Sequence, residues 1–470
     1  MKVNDLLNLE VLDLVLGGKA LARHEGRVVF VEGGLPGDRL SARVTRLRRG
    51  WAEARLESIE RPSPARIEAP CPHFGRCGGC RFQDLRYEEQ CRIKQRQVED
   101  TLQRIGGVAE PRVRAIVPAP EVFGYRNKME FSFHPGTGGA GTGDGGVAAA
   151  AGAPTPRLGL HERGGYDRVF AIETCLLPSP LTLEIVRWTQ GFAVAHRWRA
   201  YHPVRHEGVV RFLTVRHLQS TGECAVNLIA ASDQIPELDA WARGIAGLAP
   251  AVRSVTLGLN GSQANIAFAD EERVLWGRPT IVERLLGLEF EASANAFLQT
   301  NSRQAEALYA AALDAAGLTG AETVLDLYCG TGTLTLLLAR AAREAVGVES
   351  VEAAVTAARG NAERNGIANA RFVAGEARRV LREWARGERP GGPRPEIVVV
   401  DPPRAGLHPR VVARIAELEP RRVVYVSCNP ATLARDVKDF TGLGLRLVET
   451  APFDLFPHTP HIECVARLER

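Results

Sequence analysis

Apolar positions change rhythm twice along this chain. From residue 1 to about 65 they form short runs, Val11–Leu16, Arg27–Val31, Arg39–Val44 and Trp51–Leu56, separated by Gly17-Gly18, Gly33-Gly34 and Gly37-Asp38. Short apolar runs between glycine turns predict strands, and so many in so small a unit imply a little barrel, whose closure leaves no exposed sheet edge. From 66 to about 290 the pattern is mixed. A polar helical stretch, Arg86–Arg104, precedes a strand-like alternation ending near Phe133. Strand candidates follow at Arg157–Leu160, Val209–Val215, Cys224–Ile229, Ser254–Leu259 and Gln263–Ala267. Beyond 320 strands and helices alternate, with strands expected at Thr323–Leu327, Ala345–Val348, Arg371–Val373, Ile397–Val400 and Val423–Val426. Such alternation predicts an α/β domain, a mostly parallel sheet covered on both faces. The expected organisation is a barrel at 1–65, a β-rich middle domain at 66–290 and an α/β domain at 291–470.

Composition changes this picture little. The 470 residues are 45% hydrophobic and 24% charged, an ordinary globular balance. No apolar run reaches the roughly 18 residues of a membrane span, and MKVNDLLNLEVLD lacks a signal-peptide layout. A cytoplasmic, monomeric protein is expected. The glycine- and alanine-rich stretch at 136–156 offers few side chains to bury and is expected to be a mobile loop. Net charge is +4. Its distribution says more, since Arg43, Arg46, Arg48, Arg49 and Arg55 crowd one segment and Arg86, Arg92, Lys94, Arg96 and Arg104 another. Either group is a solvated face or a surface for an anionic partner such as nucleic acid.

Chemistry gathers at the expected strand ends, where parallel sheets bind ligands. After the first strand comes Asp326-Leu-Tyr328-Cys-Gly330-Thr-Gly332-Thr333, a turn that can cradle a nucleotide-like ligand. The second strand ends in Glu349, placed to accept ribose hydroxyls. No Lys-Ser/Thr ending and no complete G-x-G-x-x-G is present, so triphosphate and dinucleotide readings recede in favour of S-adenosylmethionine. Glu376 follows the third strand, either at the adenine edge or as a first-turn acid favoured by the helix dipole. The fourth strand ends in Asp401-Pro-Pro-Arg404 and the fifth in Ser427-Cys428-Asn429-Pro430. A lone cysteine after a strand is usually a small buried hydrophobe, but five successive strand ends carrying polar or reactive groups point to Cys428 as a nucleophile. Glu463, in an apolar run from Ile462 to Leu468, either faces solvent or is half-buried with a raised pKa suited to proton abstraction. His458 and His461 read as metal ligands or, with prolines on either side, as a turn.

The nine cysteines are unevenly spread, which argues against a disulfide framework. Cys71, Cys77 and Cys80 form a C-x5-C-x2-C run with Gly78-Gly79 inside it, suited to zinc or an iron–sulfur centre. A fourth ligand is required. Cys91 is near but lies in a polar helical segment; Cys175 is remote but sits among apolar residues.

The barrel pattern GRVVFVEGGLPGDRLSARV, with the arginine-rich strand after it, resembles the TRAM domain, an OB-like RNA-binding barrel. The cysteine trio, Asp326-Leu-Tyr-Cys-Gly-Thr-Gly, Asp401-Pro-Pro-Arg, Ser427-Cys-Asn-Pro and His461-Ile-Glu463, in that order, resemble the RNA (uracil-5)-methyltransferase family over essentially the whole chain, most of all its 23S ribosomal RNA members; tRNA is the other possible substrate. The resemblance implies a Rossmann-like class I methyltransferase domain. It implies S-adenosylmethionine contacts from Gln299, Tyr328, Thr333, Glu349, Glu376 and Asp401, with Cys428 the nucleophile and Glu463 the base. It also implies a [4Fe–4S] cluster on Cys71, Cys77, Cys80 and Cys175. Two other readings compete: a methyltransferase acting on an exocyclic base nitrogen, and an iron–sulfur RNA-binding or electron-transfer protein.

Overall fold

A computed structural model describes residues 1–136, 155–165 and 167–470. Most of the expected mobile loop at 136–156 lies outside the described residues. Two compact units are present, one made of Met1–Gly75, Cys80–Pro120 and Gln304–Arg470, the other of Arg76–Gly79 and Glu121–Arg303. The expected boundaries at 65 and 290 follow changes of pattern; compactness groups 80–120 with the last third of the chain, because Val98 and Leu102 join the core of the carboxyl-terminal sheet.

The first unit begins with a closed five-stranded barrel, Leu6–Leu14, Ala20–His24, Arg27–Glu32, Arg39–Leu47 and Trp51–Arg61. The third and fifth strands run parallel, and the fourth closes onto the first. Alternate residues Leu7, Leu9, Val11, Ala20, Ala22, Val29 and Val31 fill the interior. The alanines keep it narrow.

The same unit holds a seven-stranded sheet in the order Ala370–Ala374, Glu344–Glu349, Thr323–Leu327, Ile397–Val400, Arg422–Ser427, Glu463–Glu469, Arg446–Phe453. The first five are parallel, and Glu463–Glu469 runs antiparallel to both of its neighbours. Thr323–Leu327 and Ile397–Val400 are buried throughout, as strands covered on both faces must be. Chain order reverses between these two, so the crevice at their carboxyl ends is the place for a ligand. Helix Tyr87–Arg104 lies against this sheet's last strand and against helix Pro430–Thr441.

The second unit is a mostly antiparallel seven-stranded sheet, Glu271–Gly277, Val252–Leu259, Cys224–Ala230, Val210–His217, Lys128–Pro135, Pro156–His161, Val169–Ala171. Helices Pro180–Ala195 and Leu238–Leu248 pack against it. The strand expected at Gln263–Ala267 is irregular backbone, and the edge strand is Glu271–Gly277 instead. Arg211 explains this. Its guanidinium donates to the carbonyls of Asn260 (2.8 Å), Ser262 (2.7 Å) and Ala264 (2.6 Å), and Asn260 Nδ2 donates to Phe268 O at 2.6 Å. Side chains satisfy groups that a ladder would otherwise use. Among the described residues no helix is long and apolar enough to cross a membrane.

Candidate active site

The first parallel strand ends on a backbone forced out of the ordinary. Tyr328, Gly330 and Gly332 all have positive φ, at 68°, 55° and 83°. A Cβ on Gly332 would meet Ala358 Cβ at 2.9 Å, whereas one on Gly330 would meet nothing within 4 Å. Gly332 is therefore required by packing, and Gly330 leaves open space beside the turn. Thr333, 7% exposed, begins the buried helix Thr333–Ala339. Glu349 ends the second strand, half-buried. Its Oε2 accepts from Gly330 N at 3.1 Å and its Oε1 from Val351 N at 2.9 Å. The carboxylate expected to hold a ribose is thus already tied to the glycine turn. Glu376 is exposed at the start of helix Ala377–Ala385, with Arg378 3.3 Å away.

Asp326 and Asp401 stand at the ends of adjacent parallel strands. Burial pushes each up to about 7; Thr335 Oγ1, donating to Asp326 Oδ2 at 2.5 Å, pulls Asp326 partly back, while the charges of Asp401 and Glu349 push it further up. Tyr328 is pushed up to about 12, chiefly by burial.

Cys428 follows the fifth strand and is half-buried. Asn429 caps the next helix, its Oδ1 accepting from Ala431 N at 3.1 Å, with Pro430 in the first turn. Ser427 Oγ accepts from Asn429 N at 3.2 Å. The thiol is left at a locally self-bonded corner, at a helix start that favours a thiolate. Burial opposes this and raises the thiol to about 11, helped by Glu463 and Asp401 and countered by Arg404. Glu463 begins the strand whose Cys464 pairs with Ser427, so register sets it beside Cys428. It is 3% exposed, and burial first, then the charge of Asp401, drives its carboxyl well above the usual range; Arg404 opposes. Of the two sequence alternatives for Glu463, the structure excludes the solvent-facing one: the side chain is buried, and more fully than the expected half-burial.

Arg404 has a part that its motif does not announce, since nothing in Asp401-Pro-Pro-Arg404 says what the arginine faces. Its carbonyl accepts from Asn429 Nδ2 at 3.0 Å and its Nη2 lies 3.2 Å from His461 Nδ1. A single cation therefore acts on both the thiol and the carboxyl. His458 lies in a turn at φ 65°, its Nδ1 3.2 Å from Gln90 Nε2.

Gln299 belongs to the other unit, where its carbonyl accepts from Asn127 Nδ2 at 3.0 Å. Cys77 bridges Glu162, and its Sγ accepts from Gly79 N at 3.4 Å, a bond that suits a thiolate ligand. Cys91 is buried in its helix and raised to about 11, mainly by burial. Among the described residues no group of three or more His, Cys, Asp or Glu side chains converges as a metal site. The iron–sulfur cluster expected on Cys71, Cys77, Cys80 and Cys175 is thus not shown. What fits a soft metal centre is the donor type.

Residues 211–470 match the family model described as tRNA (uracil-5-)-methyltransferase, and residues 2–56 that of the TRAM domain. The chain belongs to the RNA (uracil-5)-methyltransferase family. It is 36% identical over 466 residues to an uncharacterized RNA methyltransferase of Halalkalibacterium halodurans, covering 99% of this chain and 97% of that one. It is 40% identical to one of Nitratidesulfovibrio vulgaris, over 98% and 95% of the two chains. Among solved structures it is similar to the Pyrococcus abyssi tRNA (uracil-54, C5)-methyltransferase in complex with S-adenosyl-L-homocysteine, with 29% identity, a TM-score of 0.76 and 98% and 99% coverage. As a member of this methyltransferase family the protein is an S-adenosylmethionine-dependent RNA methyltransferase, with a class I fold and an amino-terminal TRAM barrel.

Proposed function

We propose that this enzyme methylates C5 of a uridine in 23S ribosomal RNA through a covalent adduct on Cys428. The reading rests above all on one arrangement: Cys428 directly follows the strand that ends at Ser427, Glu463 begins the antiparallel strand paired with it, and Asp401 and Arg404 act on both. An exocyclic-nitrogen methyltransferase has no use for such a thiol.

C5 of uracil is too weak a nucleophile to take a methyl group unaided. Cys428 adds as thiolate to C6, and the C5=C6 electron pair becomes available at C5 to attack the donor's sulfonium methyl. Glu463 then takes the C5 proton, C5=C6 re-forms, and the C6–S bond breaks to return the thiolate. A carboxyl with a raised pKa is a stronger base once ionised. Arg404 favours the ionised thiol, and Asp401 holds the uracil edge. Tyr328, Thr333, Glu349 and Glu376 hold the methyl donor, with Asp401 completing the contacts. A uridine in folded RNA must be unstacked to reach Cys428.

A [4Fe–4S] cluster on Cys71, Cys77, Cys80 and Cys175 is part of the same proposal. Cys91 is set aside because its thiol is buried in a helix. When bound, such a cluster supplies a rigid cross-link or a redox centre. Anaerobic purification should give a brown protein with about four irons; stoichiometric zinc would refute the assignment.

A second reading, a transfer-RNA uridine, is favoured by the Pyrococcus abyssi neighbour. Mapping 5-methyluridine in ribosomal and transfer RNA, with and without the protein, separates the two. Cys428→Ala should abolish turnover and leave donor binding intact; normal methylation by it would end the covalent mechanism. Glu463→Gln should accumulate a denaturant-resistant protein–RNA adduct.

A further inference from the structure

Glu463 is reached through the turn 454–462, and that turn is held from outside the sheet. Gln90, on helix Tyr87–Arg104 and 1% exposed, grips it at His458. Gln90 Oε1 accepts from His458 N at 3.0 Å, while Nε2 lies 3.2 Å from His458 Nδ1 and donates to Phe82 O (2.9 Å) and Leu85 O (2.8 Å). Lys94 lies one helical turn on, hence on the same face. Its Nζ donates to Asp454 Oδ1 at 2.7 Å and to Phe456 O at 3.2 Å, in an ion pair buried at both ends. From the segment after the cysteine trio, Arg81 N (2.7 Å) and Phe82 N (3.1 Å) both donate to His458 O. His458 itself has φ 65°, a conformation that a non-glycine residue keeps when its surroundings impose it. The same helix packs on Pro430–Thr441, which begins two residues after Cys428.

We propose that Gln90, seconded by Lys94, is a positioning residue for proton removal: it sets the 454–462 turn so that the Glu463 carboxylate meets C5 of the Cys428-bound base. The proposal rests on reading Cys428 and Glu463 as nucleophile and base. After methyl transfer the Cys428 Sγ–C6 bond is intact and C5 carries both the methyl group and a hydrogen. The Glu463 carboxylate takes that hydrogen as a proton, the C5–H electron pair becomes the C5=C6 double bond, and the C6–S pair leaves with sulfur as thiolate. A carboxylate displaced by an ångström slows this step, on the order of 100-fold. Addition and methyl transfer do not use it.

Gln90→Glu is isosteric and turns a donor facing two carbonyls into an acceptor. It should lower kcat by about 10- to 100-fold and the KM for RNA with it, leave kcat/KM and donor binding unchanged, and build up a denaturant-resistant adduct containing methylated RNA. Should that variant fail to fold, Lys94→Met combined with Asp454→Leu replaces the buried pair with apolar groups, a change that proteins often tolerate, and carries the same expectation. Glu463→Gln is the control. An adduct in Glu463→Gln but in neither brace variant would overturn the positioning role, as would a uniform loss of donor binding, kcat/KM and stability. Absence of an adduct in Glu463→Gln would instead overturn the base assignment on which the proposal stands.

Discussion

Asp326 is a carboxyl group with little to hold its charge. It is 1% exposed, its Oδ1 has no hydrogen-bond partner among the described residues, and Thr335 alone donates to Oδ2. With its pKa raised from 3.8 to about 7, the folded chain binds this proton more tightly than the unfolded chain does. The stabilisation that follows is fully present below about pH 4 and is lost as pH rises through about 7. Asp326→Asn removes that loss and keeps an acceptor for Thr335. Its melting temperature relative to the parent should therefore rise between pH 5.5 and pH 8, by several degrees at roughly 2–4 °C per kcal/mol. An offset that stays constant across this range would mean that Asp326 is ionised in the fold. Legibility at this scale depends on register. Cys428 is legible from its place after a strand, but an isolated stretch from Ile462 to Leu468 cannot say which face Glu463 takes. That is decided by the pairing of Ser427 with Cys464, residues distant in sequence.

Elements are most legible where local pattern and burial agree. Thr323–Leu327 and Ile397–Val400 are strands with the expected ends, because a strand buried on both faces must be apolar throughout. Ala20–His24 is hidden in the sequence, since its inward positions are alanines and its Arg23 and His24 carry no strand signal. Gln263–Ala267 misleads for the opposite reason: its alternation is adequate, but Arg211, fifty residues away, takes up the carbonyls. Helix Tyr87–Arg104 is legible, and its importance is not. Its sequence is polar, and the buried Gln90 and Lys94 look like surface residues until Asp454 and His458 are seen opposite them.

At the scale of the whole molecule the question is how an RNA is held; on the proposed mechanism one of its bases must reach Cys428. The barrel offers a surface for this. Its fourth and fifth strands pair antiparallel and are joined at 48–50; Arg48 and Arg49 in that join, and Arg46 near the end of the fourth strand, are exposed. Arg43 and Arg55 are committed differently: they lie 3.0 and 3.4 Å from Glu57, whose carboxyl they hold below its usual range. Beside the same hairpin Trp51 stacks edge-on against Phe30, with ring centroids 5.8 Å apart, both only partly buried. Cations at a hairpin tip beside aromatic rings suit a single-stranded backbone with bases to stack. The arginine-rich segment thus divides into three arginines turned to solvent and two held in ion pairs. Replacing Arg46, Arg48 and Arg49 together by Glu should weaken RNA binding and flatten its dependence on salt, by about 0.7 in the log–log slope for each single-strand phosphate that no longer meets a cation. Donor binding and kcat at saturating RNA should not change, because none of the three lies at the strand ends that carry Cys428 and Glu463. Titrations of labelled RNA at several salt concentrations measure the slope directly. An unchanged slope would place the RNA elsewhere on the molecule and leave the barrel without a part in holding it.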